Sequence, residues 1–123
     1  MVIMTVNEFY NKIGGSYEQA KERLMNDALI GKFVKKFPED PNMPLIKNAL
    51  ESKDYDTAFG ASHTLKGVSL NLSFTKLSNC MVTLTDMLRD CNRSGLNEEN
   101  LAFAFGNAEK AYYEVIEAIK ELS

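Results

Sequence analysis

The sequence predicts an all-α protein: an antiparallel up-and-down four-helix bundle with additional short helices at its N-terminus. Two observations carry this. Apolar residues recur at alternating spacings of three and four in several long segments, while no segment sustains the strict alternation of a half-buried strand. The connections between the long segments are short, so successive helices must run antiparallel to pack at all.

Each element has its own start and stop signals. Thr5-Val6-Asn7-Glu8 and Ser16-Tyr17-Glu18-Gln19 both match the capping-box pattern, and Gly14-Gly15 between them ends the first helix before the second begins. Asp27 is placed to cap a third helix through Leu29, Ile30, Phe33, Val34 and Phe37, which must break near Pro38 because Pro41 and Pro44 follow. From about Pro44 the run Leu45 to Leu50 is helical again, and Asp54 caps a long helix reaching Asn71 or Leu72. Ser73 or Thr75 starts the next helix, in which Leu77, Cys80, Met81, Leu84, Met87, Leu88 and Cys91 keep helical spacing until Asn92-Arg93-Ser94-Gly95. Asn97 followed by Glu98 and Glu99 puts a cap and two acids at a positive helix terminus. Leu101, Phe105, Ala108, Tyr112, Val115, Ile119 and Leu122 then form a seam expected to face the bundle core rather than another chain.

A length of 123 residues suits one domain with one core, divided here into an N-terminal helical extension over 1–16 and a bundle over 17–123. The net charge of −3 offers no general attraction to nucleic acid or to anionic lipid, so neither is expected as a partner. No apolar run approaches the ~18 to 20 residues of a membrane span, and the first residues lack the basic start of a signal peptide; a cytoplasmic location is expected. Cys80 and Cys91, read as eleven residues apart on one helix, are too far separated to bridge and are expected to be small buried hydrophobes. With one histidine and no CxxC motif, no metal site is expected.

That histidine, His63, is the most informative residue. A helix advances about 100° per residue, which sets Ala61, Leu65, Val68 and Leu72 on the side opposite His63 as the core stripe, and turns the imidazole to water. Phe59, Gly60, Lys66, Gly67 and Leu70 all fall within about 60° of it. Lys66 brings an ammonium one turn away, suited to an anion carried on the imidazole. Gly67 and Gly60 each weaken a helix interior by roughly 1 kcal/mol relative to alanine, and clearance for another protein's active site would account for both. Phe59 and Leu70 are large apolar groups on the same face, consistent with a surface covered when a partner docks. The lysines Lys32, Lys35 and Lys36 beside Phe33 read as a solvated face. The chain has no P-loop, no nucleotide-binding glycine loop and no nucleophile with a base at a recognised spacing, so it is expected not to be an enzyme. A neutral imidazole is nonetheless a competent nucleophile toward phosphorus when a partner supplies the remaining chemistry.

The run His63-Thr64-Leu65-Lys66-Gly67, with Asn71-Leu72 downstream and Phe74 and Leu77 in the next helix, resembles the signature of histidine-containing phosphotransfer (HPt) domains. Phe33 and Phe37 before a break, Leu45 to Leu50, and the turn Lys53-Asp54-Tyr55-Asp56 extend the resemblance over about residues 17 to 122. The resemblance implies a phosphorelay protein of two-component signalling. His63 would carry a phosphoryl group between receiver-domain aspartates, or from sensor kinase to response regulator, as a phosphohistidine. It implies Lys66 as the phosphate-stabilising lysine and Gly67 as the small residue admitting the receiver, with Phe59, Gly60 and Leu70 as docking residues. Receiver domains of response regulators or hybrid kinases are then the expected partners, and the protein is expected to be a monomer. No cofactor is expected on this chain, the magnesium ion belonging to the receiver. Many members of the family carry glycine where this chain has Ser73, which is read here as a possible cap of the next helix.

Two rival readings stand beside this one. A bundle that docks receivers without being phosphorylated, a scaffold or inhibitor, would be marked by loss of His63 or Lys66, and both are present. A phosphate-accepting domain of a chemotaxis-type kinase is the other, and a chain running from Met1 through its last helix favours a free-standing carrier over it.

Overall fold

The structure, a computed structural model, describes residues 3–122, the side chains of 91 and 92 excepted. Seven α-helices follow one another: α1 (Val6–Ile13), α2 (Tyr17–Leu24), α3 (Asp27–Lys36), α4 (Asn42–Glu51), α5 (Tyr55–Asn71), α6 (Thr75–Leu88) and α7 (Glu98–Ile119), with 3-10 turns at Phe37–Glu39 and Asp90–Gly95. No strand forms among the described residues; a lone parallel bridge pairs Met4 with Leu122. Helices α4 to α7 pack each on the next as the four-helix bundle, and α1 lies against α7 and gathers α2 and α3 around it.

The helix starts follow from local chemistry. Thr5 and Glu8 form a reciprocal capping box, the Thr5 hydroxyl accepting from the Glu8 amide at 3.1 Å and the Glu8 carboxylate from the Thr5 amide at 3.0 Å. Hydrogen bonding to the Glu8 carboxylate, from the Thr5 backbone amide first and the Thr5 side chain second, holds its carboxyl below the ordinary range. Only the Ser16 half of the second box forms, on the Gln19 amide at 3.2 Å. The cap of α3 is Asn26, not Asp27: the Asn26 side chain accepts from the Leu29 amide at 3.0 Å, and Asp27 becomes the first helical residue, where its charge still suits the positive helix end. Helix α4 starts at Asn42, two residues before Pro44, because a proline in the first turn gives up only an amide with no intrahelical partner.

Ser73 does not cap α6. Phe74 is the cap residue and lends no side-chain bond, while Ser73 sits at φ +59° with its buried hydroxyl unpartnered. This is the left-handed conformation that glycine adopts freely and other residues adopt at about 1–2 kcal/mol. The family's preference for glycine here thus has a backbone cause. Ser73→Gly is expected to stabilise the fold by about 1 kcal/mol, read as a higher urea midpoint with an unchanged slope.

The core is continuous from the N-terminal helices into the bundle. Phe74 is fully buried and meets Phe37, Phe9 and Tyr10 at ring-centroid distances of 5.2, 6.0 and 5.9 Å, joining α1, the turn after α3 and α6. The buried Tyr10 hydroxyl donates to the Leu72 carbonyl at 2.7 Å, and burial pushes its phenol well above the usual value. The seam of α7 is buried at Leu101, Ala108, Tyr112, Val115 and Ile119, with Phe105 half-buried.

Helix α6 stops at Leu88, so Cys91 falls in the 3-10 turn, not on the same helix as Cys80, and its side chain lies outside those described. Cys80 is half-buried, and burial raises its thiol above the ordinary range. No helix among the described residues is long and apolar enough to cross a membrane.

Candidate functional site

Helix α5 carries the site, and its first turn fixes where the helix begins. The Asp54 carboxylate accepts from the Thr57 hydroxyl at 2.7 Å and from the Thr57 amide at 3.2 Å, and these bonds hold its carboxyl below the usual range. Seventeen residues follow to Asn71 without interruption. Ala58, Ala61, Ser62, Leu65 and Ser69 are buried along it, while His63 is exposed as its helix angle requires. The buried arc is displaced from the expected one. Val68 is only half-buried, and Ser62 and Ser69, both fully buried, take core positions instead.

Neither His63 nor Lys66 has a hydrogen bond or ion pair to any described residue. Half of the chain's lysines and arginines are differently placed: Lys12, Lys47, Lys53, Lys76, Arg89, Arg93 and Lys120 all face carboxylates. The Lys66 ammonium is therefore available, one turn along from an imidazole that is also available. A Cβ built on Gly67 or Gly60 would meet nothing within 4 Å, so neither glycine is required by packing inside this protein. The Thr64 hydroxyl turns back onto the Gly60 carbonyl at 3.0 Å and leaves the flank of His63 clear.

Phe59 and Leu70 differ. The Phe59 ring lies 5.9 Å from the His63 ring, half-buried, with the Arg89 guanidinium stacked 5.6 Å above its centroid. Its cover comes from the end of α6, not from solvent alone. Leu70 keeps 44% of its surface exposed, and its carbonyl accepts from Arg23 of α2. Both residues thus sit on the His63 face, each with a guanidinium at its side.

Arg89 and Arg23 were not legible as site residues. Arg89 pairs with Asp86 at 2.9 Å and stands within two ring contacts of the imidazole. Folding the α5–α6 hairpin at residues 72–74 puts position 89 opposite position 59, a signal that the helix spacing contained. Arg23 lies on a separate short helix, and no local pattern joins it to α5. The result is a cationic rim: Arg89 on one side of His63, Lys66 one turn along, and Arg23 at the far end of the face. Among the described residues no group of histidine, cysteine, aspartate and glutamate side chains is arranged to hold a metal ion.

A family model described as Hpt domain matches residues 28–123. The chain belongs to the Hpt domain family. Histidine phosphotransfer in phosphorelay signalling is what that family does, and receiver domains of phosphorelay proteins are what it interacts with. No curated protein and no solved structure matches the chain. The matched region begins at α3, so α1 and α2, which supply Tyr10 and Arg23 to the end of the histidine helix, lie outside it.

Proposed function

We propose that this Hpt protein is a phosphoryl carrier with His63 as acceptor and donor, loaded from one receiver-domain aspartate or a sensor kinase and unloaded onto another receiver. The observation that carries the reading is an exposed imidazole with no hydrogen bond or ion pair to a described residue, an ammonium equally free of them one turn away, and open space over Gly67. In the transfer, a ring nitrogen of neutral His63 attacks phosphorus, a P–N bond forms, the P–O bond of the aspartyl phosphate breaks, and the carboxylate leaves with its electron pair. The magnesium ion and the aspartate belong to the receiver, and this chain contributes the nucleophile and positive charge. Lys66 then faces the phosphoryl oxygens, one turn along the helix from the imidazole. A purely docking scaffold has no use for the free imidazole and ammonium. A cytoplasmic setting, where receivers reside, fits the same reading.

His63→Gln tests it. The variant should take up no acid-labile, base-stable phosphate from a phosphorylated receiver, with the helical circular dichroism signal unchanged, since position 63 contributes nothing to the core. Full labelling of the variant would defeat the proposal.

A further inference from the structure

The outer face of α7, on the bundle corner diagonal to α5, holds none of the residues placed at the histidine site and carries the most exposed aromatic among the described residues. Glu99, Phe103, Gly106, Lys110 and Tyr113 recur at spacings of three and four along it and are all exposed, Phe103 at 73%. Phe103 is not isolated: Tyr113, on the same face, keeps 48% of its surface exposed, and large apolar groups gathered on one helix face mark a contact surface. The same face also carries a hole. Lys110, Tyr113, Glu114, Glu117 and Ala118 of α7, with Lys12 of α1, enclose a mostly apolar surface pocket of about 440 Å³.

Knob and hole lie on one side of one helix, about two to four turns apart, with Gly106 between them. A Cβ at Gly106 would meet nothing within 4 Å, so a second helix can approach closely there. A two-fold axis perpendicular to two antiparallel α7 helices and passing between them near Gly106 sets the same face of each helix against the other. It sets each Phe103 opposite position 109 of the other copy, beside Lys110 and about one turn from Tyr113. The charges agree with this pairing. Glu99 and Lys110 have no ion-pair partner among the described residues, and the same axis brings Glu99 of one copy within a turn of Lys110 of the other. The remaining lysine at the pocket rim, Lys12, is already held by Glu121 at 2.8 Å.

We propose that this protein self-associates through the outer face of α7 as an antiparallel two-fold dimer, each Phe103 seated in the other copy's pocket beside Lys110 and Tyr113. Nothing in the helix periodicity required a second copy, because the seam that periodicity marks faces the core. The dimer leaves both His63 faces open, since α5 packs on α4 and α6 while α7 packs on α6 and α1. A strip one helix wide is smaller than the roughly 1,200 Å² of a stable interface, so association should be weak, with dissociation at micromolar to millimolar concentrations.

Sedimentation equilibrium of the full chain across that range is expected to show a reversible monomer–dimer equilibrium. Phe103→Glu should weaken it at least about tenfold with helicity and melting temperature nearly unchanged, because the side chain is 73% exposed in the monomer and has little burial to lose. The photoreactive residue benzoylphenylalanine at position 103 should yield a dimer-sized adduct whose crosslink maps to 109–114. A chain that stays monomeric throughout, a dimer indifferent to Phe103→Glu, or crosslinks that map elsewhere would each overturn the proposal.

Discussion

Gly67→Arg is expected to make the protein more stable and almost inactive at once. The arginine replaces a mid-helix glycine at a place where a Cβ meets nothing within 4 Å, so the helix gains up to about 1 kcal/mol of propensity with no clash. A melting temperature higher by about 3–5 °C follows for a domain of this size. Transfer from a phosphorylated receiver should nevertheless fall by at least about 100-fold, equivalent to roughly 2.7 kcal/mol of lost transition-state stabilisation, because a long side chain now stands where the receiver must approach the imidazole. Phosphoramidate, a phosphodonor small enough to pass the arginine, should still label His63. A variant that is stabilised yet transfers normally would remove Gly67 from the docking surface. One that loses both transfer and phosphoramidate labelling would point to a damaged nucleophile instead. The opposite signs matter, because the glycine is then retained against a gain in stability, as expected for a residue serving a partner.

How much of this was legible in the sequence depends on how locally each feature is determined. The exposure of His63 and the grouping of Lys66, Gly60 and Gly67 beside it follow from helical geometry alone, and the structure keeps all of them on one open face. The helix starts at Thr5, Ser16, Asp54 and Asn97 were readable because a cap is a bond between residues three apart. The buried arc of α5 was less readable. Ser62 and Ser69 are polar by type but small, and the Ser69 hydroxyl satisfies itself on the Leu65 carbonyl at 2.8 Å, which lets serine occupy a core position that a hydrophobicity pattern assigns to Val68. The 3-10 turn after Leu88 was hidden because Cys91 happens to continue the helical spacing of α6. Arg93 is the feature that ends the helix, donating to the Leu88 carbonyl at 2.9 Å while pairing with Asp56 and Asp90, and those partners lie partly on another helix. Arg89 and Arg23 belong to the same class: their importance comes from tertiary neighbours.

Removal of residues 1–16 is the second large effect expected, and it should abolish cooperative folding. The family model starts at residue 28, and the sequence marks 1–16 as an appended helical segment, yet its side chains are core. Met4, Val6, Phe9, Tyr10 and Ile13 are all buried, and at about 1.5–3 kcal/mol per large side chain their loss forfeits on the order of 10 kcal/mol, as much as the whole stability of a typical domain. The backbone is tied in as well. The Lys76 amide donates to the Gly14 carbonyl at 3.1 Å, the Ser16 amide to the Ser73 carbonyl at 3.0 Å, and the Met4 amide to the Glu121 carbonyl at 2.7 Å. Gly15 is packed so closely that a Cβ would fall 2.7 Å from the Tyr10 ring and 2.8 Å from the Ser73 carbonyl, which locks this segment onto the turn that ends the histidine helix. Without it, Phe74 loses two of its three ring partners, and the end of α5 nearest Leu70 loses its anchor. The truncated chain should keep much of its far-ultraviolet helical signal, lose its near-ultraviolet signal, bind an apolar dye, and unfold in urea without a sigmoidal transition. A truncated protein that melts cooperatively within about 5 °C of the full chain would show the segment to be an appendage; one that collapses as described makes α1 part of the platform on which His63 is presented.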